Sequence, residues 1–487
     1  MKKCLKTIGR AVMFLCLGLV LALAGLSAFF FIAGRDIDAP DISDLLSSEP
    51  PIDPSENMMP ILLDATNRLT LTSGDKQLLV RYGHKKWDRQ IREGEDYFHL
   101  TEQEAAERAD RILATNAPVF AALDAAVSRP RAQYPAELSP RCPIGASFED
   151  GAFIARWTFE TTAVFYGRLA SLRARRLRES AHSGEAAEEL LRYGEMLACL
   201  SYKAEGPTLR LLAGDPCCPV IAEMVEAVVN DDLPDGACAR IDAACARWAQ
   251  LRRAALKRHM HDTLARLHNF MTDDCDHAYE TLFPHFEFPF YHESAAANAV
   301  ARGVTTAIRS FPGYRRYVFQ PNRTLAEWAA CLREVEPLSF ALPYTAEMRA
   351  RLAALEQAQD KTFHPLRKNG MGAHLLARQG LAVYWRILGQ LAFWDESNRA
   401  IMAIARYRRK HGSPPPTLEA LTPEFLDAVP RDPFDAGRPL GYNAEQGTLH
   451  TVGADGKFSG KLPKPGRALR FGFGQKDMIR RIDGSYL

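Results

Sequence analysis

The chain has 487 residues, of which 47% are apolar and 25% are charged. This is the composition of a globular protein, and it excludes a wholly disordered chain or a collagen-like repeat. At roughly 150 residues per domain, the length suits about three domains. Lys and Arg number 61 against 59 Asp and Glu, a formal net charge of only +2. Since this charge provides no electrostatic attraction to nucleic acid, we expect no nucleic-acid partner.

An uncharged apolar run covers residues 11–33. Four basic residues precede it: Lys2, Lys3, Lys6 and Arg10. As a helix the run would extend about 35 Å at roughly 1.5 Å per residue, enough to cross a hydrocarbon core of about 30 Å. The basic residues predict a cytoplasmic N-terminus. We therefore expect residues 1–35 to anchor the protein in a bacterial inner membrane, with most of the chain in the periplasm. A cleaved signal peptide is the alternative, although its apolar core is normally only about 7–15 residues long.

Residues 36–60 combine five prolines with Asp, Ser and Glu. Proline fixes φ and removes a backbone donor, and acidic side chains prefer to stay solvated. This composition predicts an extended linker that holds the folded part of the chain away from the bilayer.

From residue 61 to residue 395 the apolar residues recur mostly at helical spacing. The first apolar stripe comprises Trp157, Thr161, Val164, Phe165, Leu169 and Leu172. Further stripes cover residues 187–198, 221–228 and 241–271, and breakers at 183–184, 214–216 and 233–236 separate them. Because each stripe must pack on a neighbour, the pattern predicts a mainly α fold, either a helical bundle or an array of helical hairpins. An aromatic stretch at 283–321 is predicted to be an irregular crossover that fills the core, with a peptide or ligand groove as the alternative.

Eight of the ten cysteines follow the apolar run, and in an oxidising periplasm some of them would pair. Cys238 and Cys245 would lie about 10 Å apart on one helix, beyond the span of about 7 Å that a disulfide allows between Cα atoms. Cys217 and Cys218 stand between two prolines at a predicted helix junction. We hypothesise that one of them bridges to Cys199 on the preceding helix, and the other pairings stay open.

The sequence lacks the glycine-rich loops, zinc-protease motif and nucleophile elbow of common enzyme classes, so we expect neither an enzyme nor a cofactor. Residues 259–292 hold six of the thirteen histidines. Within this cluster Asp273 and His277 would share a helix face, a spacing that suits metal ligation or a carboxylate–imidazole base. A solvated helix end is the plainer alternative. The four arginines between residues 173 and 178 are predicted to form a solvated basic face rather than a phosphate-binding track.

Residues 396–460 follow a different pattern. A helix is predicted to end at His411-Gly412, where glycine permits a left-handed C-cap. Thr422-Pro423-Glu424 predicts the start of a short helix, and residues 439–442 and 448–452 predict a hairpin closed at 453–456. In this order, the elements from Ala403 to Gly460 resemble the C-terminal half of the type II secretion major pseudopilin. Residues 461–487 would then form a basic tail.

The resemblance implies a small α+β module that docks on a secretion system through residues 403–460. Prepilins carry an acidic residue five positions into the mature chain, but no acid follows Gly9 at that distance, so processing as a pilin is not implied. Pseudopilins also bind calcium beside a turn that Asp455 matches. No further acid occurs here until Asp477, which leaves few oxygen ligands for calcium. Residues 116–135 and 169–212 are similar to a group of uncharacterised bacterial membrane-anchored helical proteins.

Together these patterns predict a single-pass inner-membrane protein whose periplasmic helical domain binds or scaffolds other proteins in secretion or envelope assembly. The expected partners are the membrane and a second protein. A type II secretion-like component that docks through residues 403–460 is one alternative. A periplasmic metal-dependent hydrolase that uses the Asp273 and His277 region is the other.

Overall fold

The computed structural model describes residues 18, 20–46, 52–81, 90–93, 96–134, 151–203, 216–230, 233, 235–273, 313–359, 367–379, 381–458 and 478–482. Within these ranges the protein is mainly helical, as the apolar periodicity predicts. The first helix, α1, covers residues 20–33. The other helices are α2 (Met59–Arg68), α3 (Ser73–Arg81), α4 (Glu102–Thr115), α5 (Ala117–Val127), α6 (Gly151–Glu179), α7 (Ser183–Ala198), α8 (Cys217–Val229), α9 (Asp235–Asp273), α10 (Tyr314–Val318), α11 (Pro321–Ser339), α12 (Ala346–Gln359), α13 (Gly370–Gln379) and α14 (Tyr384–His411).

The long helix α9 forms the spine of the helical body, because α7, α11 and α14 all pack along it. Helix α8 fills the space between α6, α7 and α14 with the predicted stripe Ile221, Met224, Val225 and Val228, which is buried. At the crossing of α7 and α9 the ring of Trp248 lies against Gly194, where an added Cβ would come within 2.1 Å of the indole. A glycine is therefore required at this crossing, since no side chain fits beneath the ring.

The first predicted stripe is confirmed in part. Leu169 and Leu172 are buried as predicted, whereas Thr161 is exposed. The buried face of α6 also includes Phe159, Ala163, Tyr166 and Ala170. Tyr166 donates a hydrogen bond from its hydroxyl to the carbonyl of Leu62, 2.8 Å away. The alanines allow close approach of the neighbouring helices, and a pattern search weighted toward large apolar residues misses such a face.

A β-hairpin interrupts the helical region, which the sequence did not predict. Strands β1 (Gln90–Glu93) and β2 (Asp96–His99) pair in antiparallel register, with Ile91 opposite Phe98. Tyr97 and Phe98 are 59% and 46% exposed. Because β2 is exposed along its whole length, it has no alternation between buried and solvated positions that would mark it as a strand. Of the predicted aromatic crossover at 283–321, the structure describes only residues from 313 onward, which begin helix α10.

The C-terminal module confirms the predicted helix end and hairpin. Gly412 caps α14 with φ of +76°. Strand β3 (Gly441–Asn443) pairs with β4 (Thr448–Thr451), and β4 pairs with β5 (Met478–Arg481). The prediction of a tail after residue 460 is therefore wrong at 478–481, because these residues form a sheet strand. The guanidinium of Arg480 is buried under α14, where it donates to Asn398 and lies 6.0 Å from the Trp394 ring.

The predicted helix start at Thr422 is wrong. A single 3₁₀ turn occurs earlier, at Leu418–Leu421. The Thr422 hydroxyl donates to the carbonyl of Glu419, 2.9 Å away, instead of accepting from the backbone that follows as an N-cap does. The module is held on the body by Phe434, whose ring packs against Tyr344 and Trp385 and covers Gly389 of α14.

Candidate functional site: the collar at the foot of the apolar helix

Helix α1 presents an exposed apolar surface. Of the twelve large apolar side chains that are exposed in the described ranges, seven lie on this helix, with exposures from 39% to 69%. These are Val20, Leu21, Leu23, Leu26, Phe29, Phe31 and Ile32. A contiguous apolar surface of this kind marks a contact with a membrane or with another protein. None of the helices in the described ranges meets the combined length and hydropathy of a membrane span.

The C-terminal end of α1 is inserted into an aromatic socket of the body. Phe30 is 3% exposed, and its ring centroid lies 5.4 Å from that of Tyr314 and 5.2 Å from that of Tyr317. Gly34 allows this approach, since a Cβ there would lie 2.8 Å from the backbone nitrogen of Tyr317. On the other side, Gly313 adopts φ of +83° beside the backbone of α1. Two glycines and two tyrosines therefore shape the socket around one phenylalanine.

The polar groups of the two chain segments satisfy each other at this junction. The buried side chain of Gln320 donates from Nε2 to the carbonyls of Ala33 and Arg35, at 3.3 and 3.1 Å. In return, the carboxylate of Asp36 accepts from the backbone nitrogens of Asn322 and Arg323, at 2.8 and 3.0 Å. The first N–H groups of a helix and the carbonyls at a helix end have no partner within their own helix. Here the end of α1 and the start of α11 supply those partners to each other.

The segment after α1 continues along the body. Asp44 pairs with Arg333 of α11 at 2.6 Å, and the carbonyl of Leu45 lies 3.0 Å from Nδ1 of His261 on α9. The other ring nitrogen of His261 contacts Glu336. Burial favours a higher pKa for Glu336, but hydrogen bonds from Lys257 and His261 lower the pKa below its usual value. The prediction of a free linker is therefore wrong for residues 36–46, because Asp36 and Asp44 are held by partners on the body.

A basic rim surrounds the socket, formed by the exposed side chains of Arg35 and Arg316. The guanidinium of Arg316 lies 5.6 Å from the centroid of the exposed Phe31 ring. Among the residues that the structure describes, neither arginine has a carboxylate within ion-pair distance. We call this assembly the collar: residues 29–36 together with residues 313–323. It unites exposed apolar rings and exposed guanidinium groups at the point where the apolar helix meets the body.

The arginines of α6 are not the solvated face that the sequence predicts. Arg175 contacts Glu223 and Glu226 of α8 at 2.6 Å each, and Arg178 also contacts Glu223. Although burial opposes the charge, the two glutamates raise the pKa of the Arg175 guanidinium. Arg176 pairs with Asp110 of α4 at 2.8 Å. The prediction missed these pairs because the carboxylates lie on other helices, more than forty positions away in the chain.

A second polar cluster lies between α9 and α14. A cavity of about 140 Å³ is lined there by residues that include Cys245, Arg253, Glu396 and Arg399. Burial raises the pKa of Glu396 and of Asp242, and it raises that of the Cys245 thiol to about 12. Cys245 is therefore protonated at neutral pH and is not a nucleophile there.

The structure describes the predicted metal ligands only in part. Asp273 is the last residue of α9, and His277 lies outside the described residues. Asp455 is exposed in a turn, where its carboxylate accepts from the backbone nitrogen of Lys457 at 3.1 Å. The described ranges hold no group of three or more His, Cys, Asp or Glu side chains that could share a metal ion. A metal at Asp273, His277 or Asp455, and the hydrolase that would use it, stay predictions.

The three cysteines of the predicted bridge are thiols in the structure. Cys199 follows α7 in a π-helical turn, and burial raises its pKa. Cys217 starts α8 and donates from Sγ to the carbonyl of Gly194, 3.6 Å away. Cys218, its neighbour, is half-buried. Pairing of Cys199 with Cys217 or Cys218 stays a prediction, which non-reducing peptide mapping tests.

Comparison with protein-family models, curated proteins and solved structures finds no match to this chain. The likeness of residues 403–460 to a major pseudopilin therefore depends on the sequence pattern, and the collar has to be interpreted from its own chemistry.

Proposed function

We propose that this protein is a single-pass membrane-anchored scaffold, with residues 11–33 in the bilayer and the helical body presented at the membrane face to bind other proteins. One observation carries the proposal: α1 exposes seven large apolar side chains while its C-terminal end is fixed in the body. An exposed apolar helix is unfavourable in water, and burial in hydrocarbon removes that cost.

The charges on either side of the apolar run support an orientation. Four basic residues precede it, whereas Arg35 and four acidic residues, Asp36, Asp38, Asp41 and Asp44, follow it. Because basic residues favour the cytoplasmic side, the N-terminus is assigned to the cytoplasm and the body to the periplasm.

The β1–β2 hairpin supports the scaffold role. It contacts α3 on one side and displays Tyr97 and Phe98 to solvent. Exposed aromatic residues are common anchors of protein–protein interfaces. The hairpin is therefore the surface that we assign to the protein partner.

Cell fractionation with a topology reporter tests the anchor. The full chain should stay in the membrane pellet after alkaline carbonate extraction, and a chain without residues 1–35 should not. A C-terminal alkaline phosphatase fusion should be active, since this enzyme works only after export. A carbonate-soluble full chain, or a C-terminal reporter that works only in the cytosol, contradicts the anchor or its orientation.

Photocrosslinking in cells tests the scaffold role. A photoreactive residue in place of Phe98 should give a discrete crosslinked protein, and the same residue in place of the exposed Gln103 on α4 serves as the matched control. Equal labelling from both positions, or none from Phe98, contradicts a partner at the hairpin.

A second candidate is a type II secretion-like component. Its support is the Gly412 helix cap and the β3–β4 hairpin, which occur in the order that the resemblance implies. Replacement of the exposed Asp455 and Lys457 by alanine should then reduce secretion without loss of folded protein. Unchanged secretion contradicts this candidate.

A further inference from the structure

We propose that the collar binds the headgroups of anionic phospholipids, so that the helical body rests directly on the bilayer with Arg35 and Arg316 against lipid phosphates. This inference depends on the proposed membrane anchor and adds to it the chemical class of the surface that the body contacts.

The C-terminal end of the apolar helix packs directly against the body, with no flexible segment between them. Phe31 and Ile32 are 53% and 69% exposed, while Phe30 beside them is inside the socket and Gly34 contacts α10. One helical turn advances about 5.4 Å. If Phe31 and Ile32 are in hydrocarbon, Arg35 and the start of α10 lie within about one turn of the hydrocarbon edge. That depth is occupied by lipid headgroups.

The side chains at this depth have the chemistry of a membrane interface. Phe29 and Phe31 are exposed at the foot of α1, and the Phe29 ring packs on the buried Tyr317 with the centroids 5.6 Å apart. The Arg316 guanidinium lies over the Phe31 ring. An arginine can extend along apolar surface and keep its charged end at the phosphates, and the adjacent ring stabilises the cation. Aromatic and basic residues together are typical of the interface between hydrocarbon and water.

The charge of the rim favours a lipid phosphate as the occupant. In the described part of the chain Arg35 and Arg316 have no carboxylate partner, whereas Arg333, farther along α11, is paired with Asp44. A guanidinium matches a phosphate with two parallel hydrogen bonds. The rim directly adjoins the apolar helix, and the helix places it at the bilayer. A lipid phosphate is therefore favoured over a soluble anion.

Native mass spectrometry of the full chain in a non-ionic detergent tests the proposal. The probes are phosphatidylglycerol and phosphatidylcholine, each titrated onto the wild type and onto the double variant Arg35→Gln/Arg316→Gln. We expect the wild type to retain phosphatidylglycerol in preference to phosphatidylcholine. The double variant should lose this preference by about fivefold for each arginine removed.

Arg351→Gln is the matched control, since this arginine is 62% exposed on α12 and pairs with Glu334. It should keep the wild-type preference. Equal retention of both lipids by the wild type, or an unchanged preference in the double variant, overturns the lipid site. Membrane fractionation separates this failure from that of the anchor: a chain that is carbonate-resistant but shows no lipid preference contradicts only the collar proposal.

Discussion

Between α6 and α8 the guanidinium groups of Arg175 and Arg178 are 12% and 6% exposed, and each lies against a carboxylate. At the collar those of Arg35 and Arg316 are exposed, and Arg316 lies over an apolar ring. The same side chain thus occupies two opposite environments. In the first, desolvation makes a nearby carboxylate obligatory, since an unpaired buried charge is costly. In the second, water satisfies the charge until an external anion replaces it.

The difference between the two regions predicts where a substitution acts. A change in the buried pair network should alter the stability of the whole body. A change at the collar should alter the attachment of α1 and the contact with lipid, with little effect on the remaining core.

The largest effect is expected for Glu223→Ala. This change removes the carboxylate that Arg175 and Arg178 both contact, while Arg175 keeps Glu226, so the free energy of unfolding should fall by about 3 kcal/mol, the lower end of the range for a broken buried pair. Urea unfolding of the full chain in detergent measures it. Glu188→Ala is the control, because the pair of Glu188 with Arg240 is more than half exposed on both sides. A similar loss of stability in both variants contradicts the predicted difference between a buried and an exposed ion pair.

Gly34→Ala should have the next largest effect, confined to the collar. The added Cβ would lie 2.5 Å from the carbonyl oxygen of Phe30 and 2.8 Å from the nitrogen of Tyr317, and backbone atoms yield little. We expect a local cost of about 1–3 kcal/mol, the usual range for overpacking. Hydrogen exchange of residues 313–318 should accelerate. Gly25→Ala, where a Cβ meets nothing within 4 Å, should leave this exchange unchanged.

Asp36→Ala should weaken the same junction less. The carboxylate satisfies two backbone N–H groups in the first turn of α11, and loss of a helix cap costs about 1 kcal/mol. Hydrogen exchange of the backbone amides of residues 322–324 reports the change. Asp38→Ala, at an exposed position two residues later, is the comparison, and equal acceleration by both variants contradicts the capping role.

The smallest effect is expected for Glu396→Gln, and it should depend on pH. Glu396 is a half-buried carboxylate whose contact with Arg399 is long, 3.7 Å against 2.6 Å for Glu223 with Arg175. Burial raises its pKa, so the folded state holds the proton more tightly than the unfolded state. The cost of the buried charge is absent below the unfolded pKa and grows as pH rises through the folded pKa.

Glu396→Gln should therefore stabilise the protein at neutral pH by less than about 1 kcal/mol and have no effect in acid. Thermal melting below the pKa of Glu396 in the unfolded state and above its pKa in the folded state measures the difference. If Glu396→Gln stabilises the protein equally at every pH, the effect does not come from the ionisation of Glu396.

Much of the helical body could be predicted from the sequence, because helical burial repeats along the chain. The stripe from Ile221 to Val228 is buried as predicted, and the helix that ends at His411 has the left-handed glycine cap that its sequence requires. Both features depend on neighbours within one or two turns.

The errors have a common physical origin. The composition around Asp36 predicts a solvated linker, but the partners of Asp36 are at positions 322 and 323. The composition after residue 460 predicts a tail, but the strand Met478–Arg481 pairs with Thr448–Thr451. Local composition indicates whether a group is polar or apolar and does not indicate which distant group will satisfy it.

The sequence by itself determined that the chain is mainly helical, that one helix ends at His411, and that one apolar run lies at its N-terminus, because these properties follow from near neighbours along the chain. Only the tertiary structure decided that the foot of the apolar helix is fixed in an aromatic socket, that Arg175 and Arg178 are paired with carboxylates, and that the arginines of the collar are exposed. Packing sets these outcomes, because the cost of a charge or of an open hydrogen-bonding group depends on what folding places beside it.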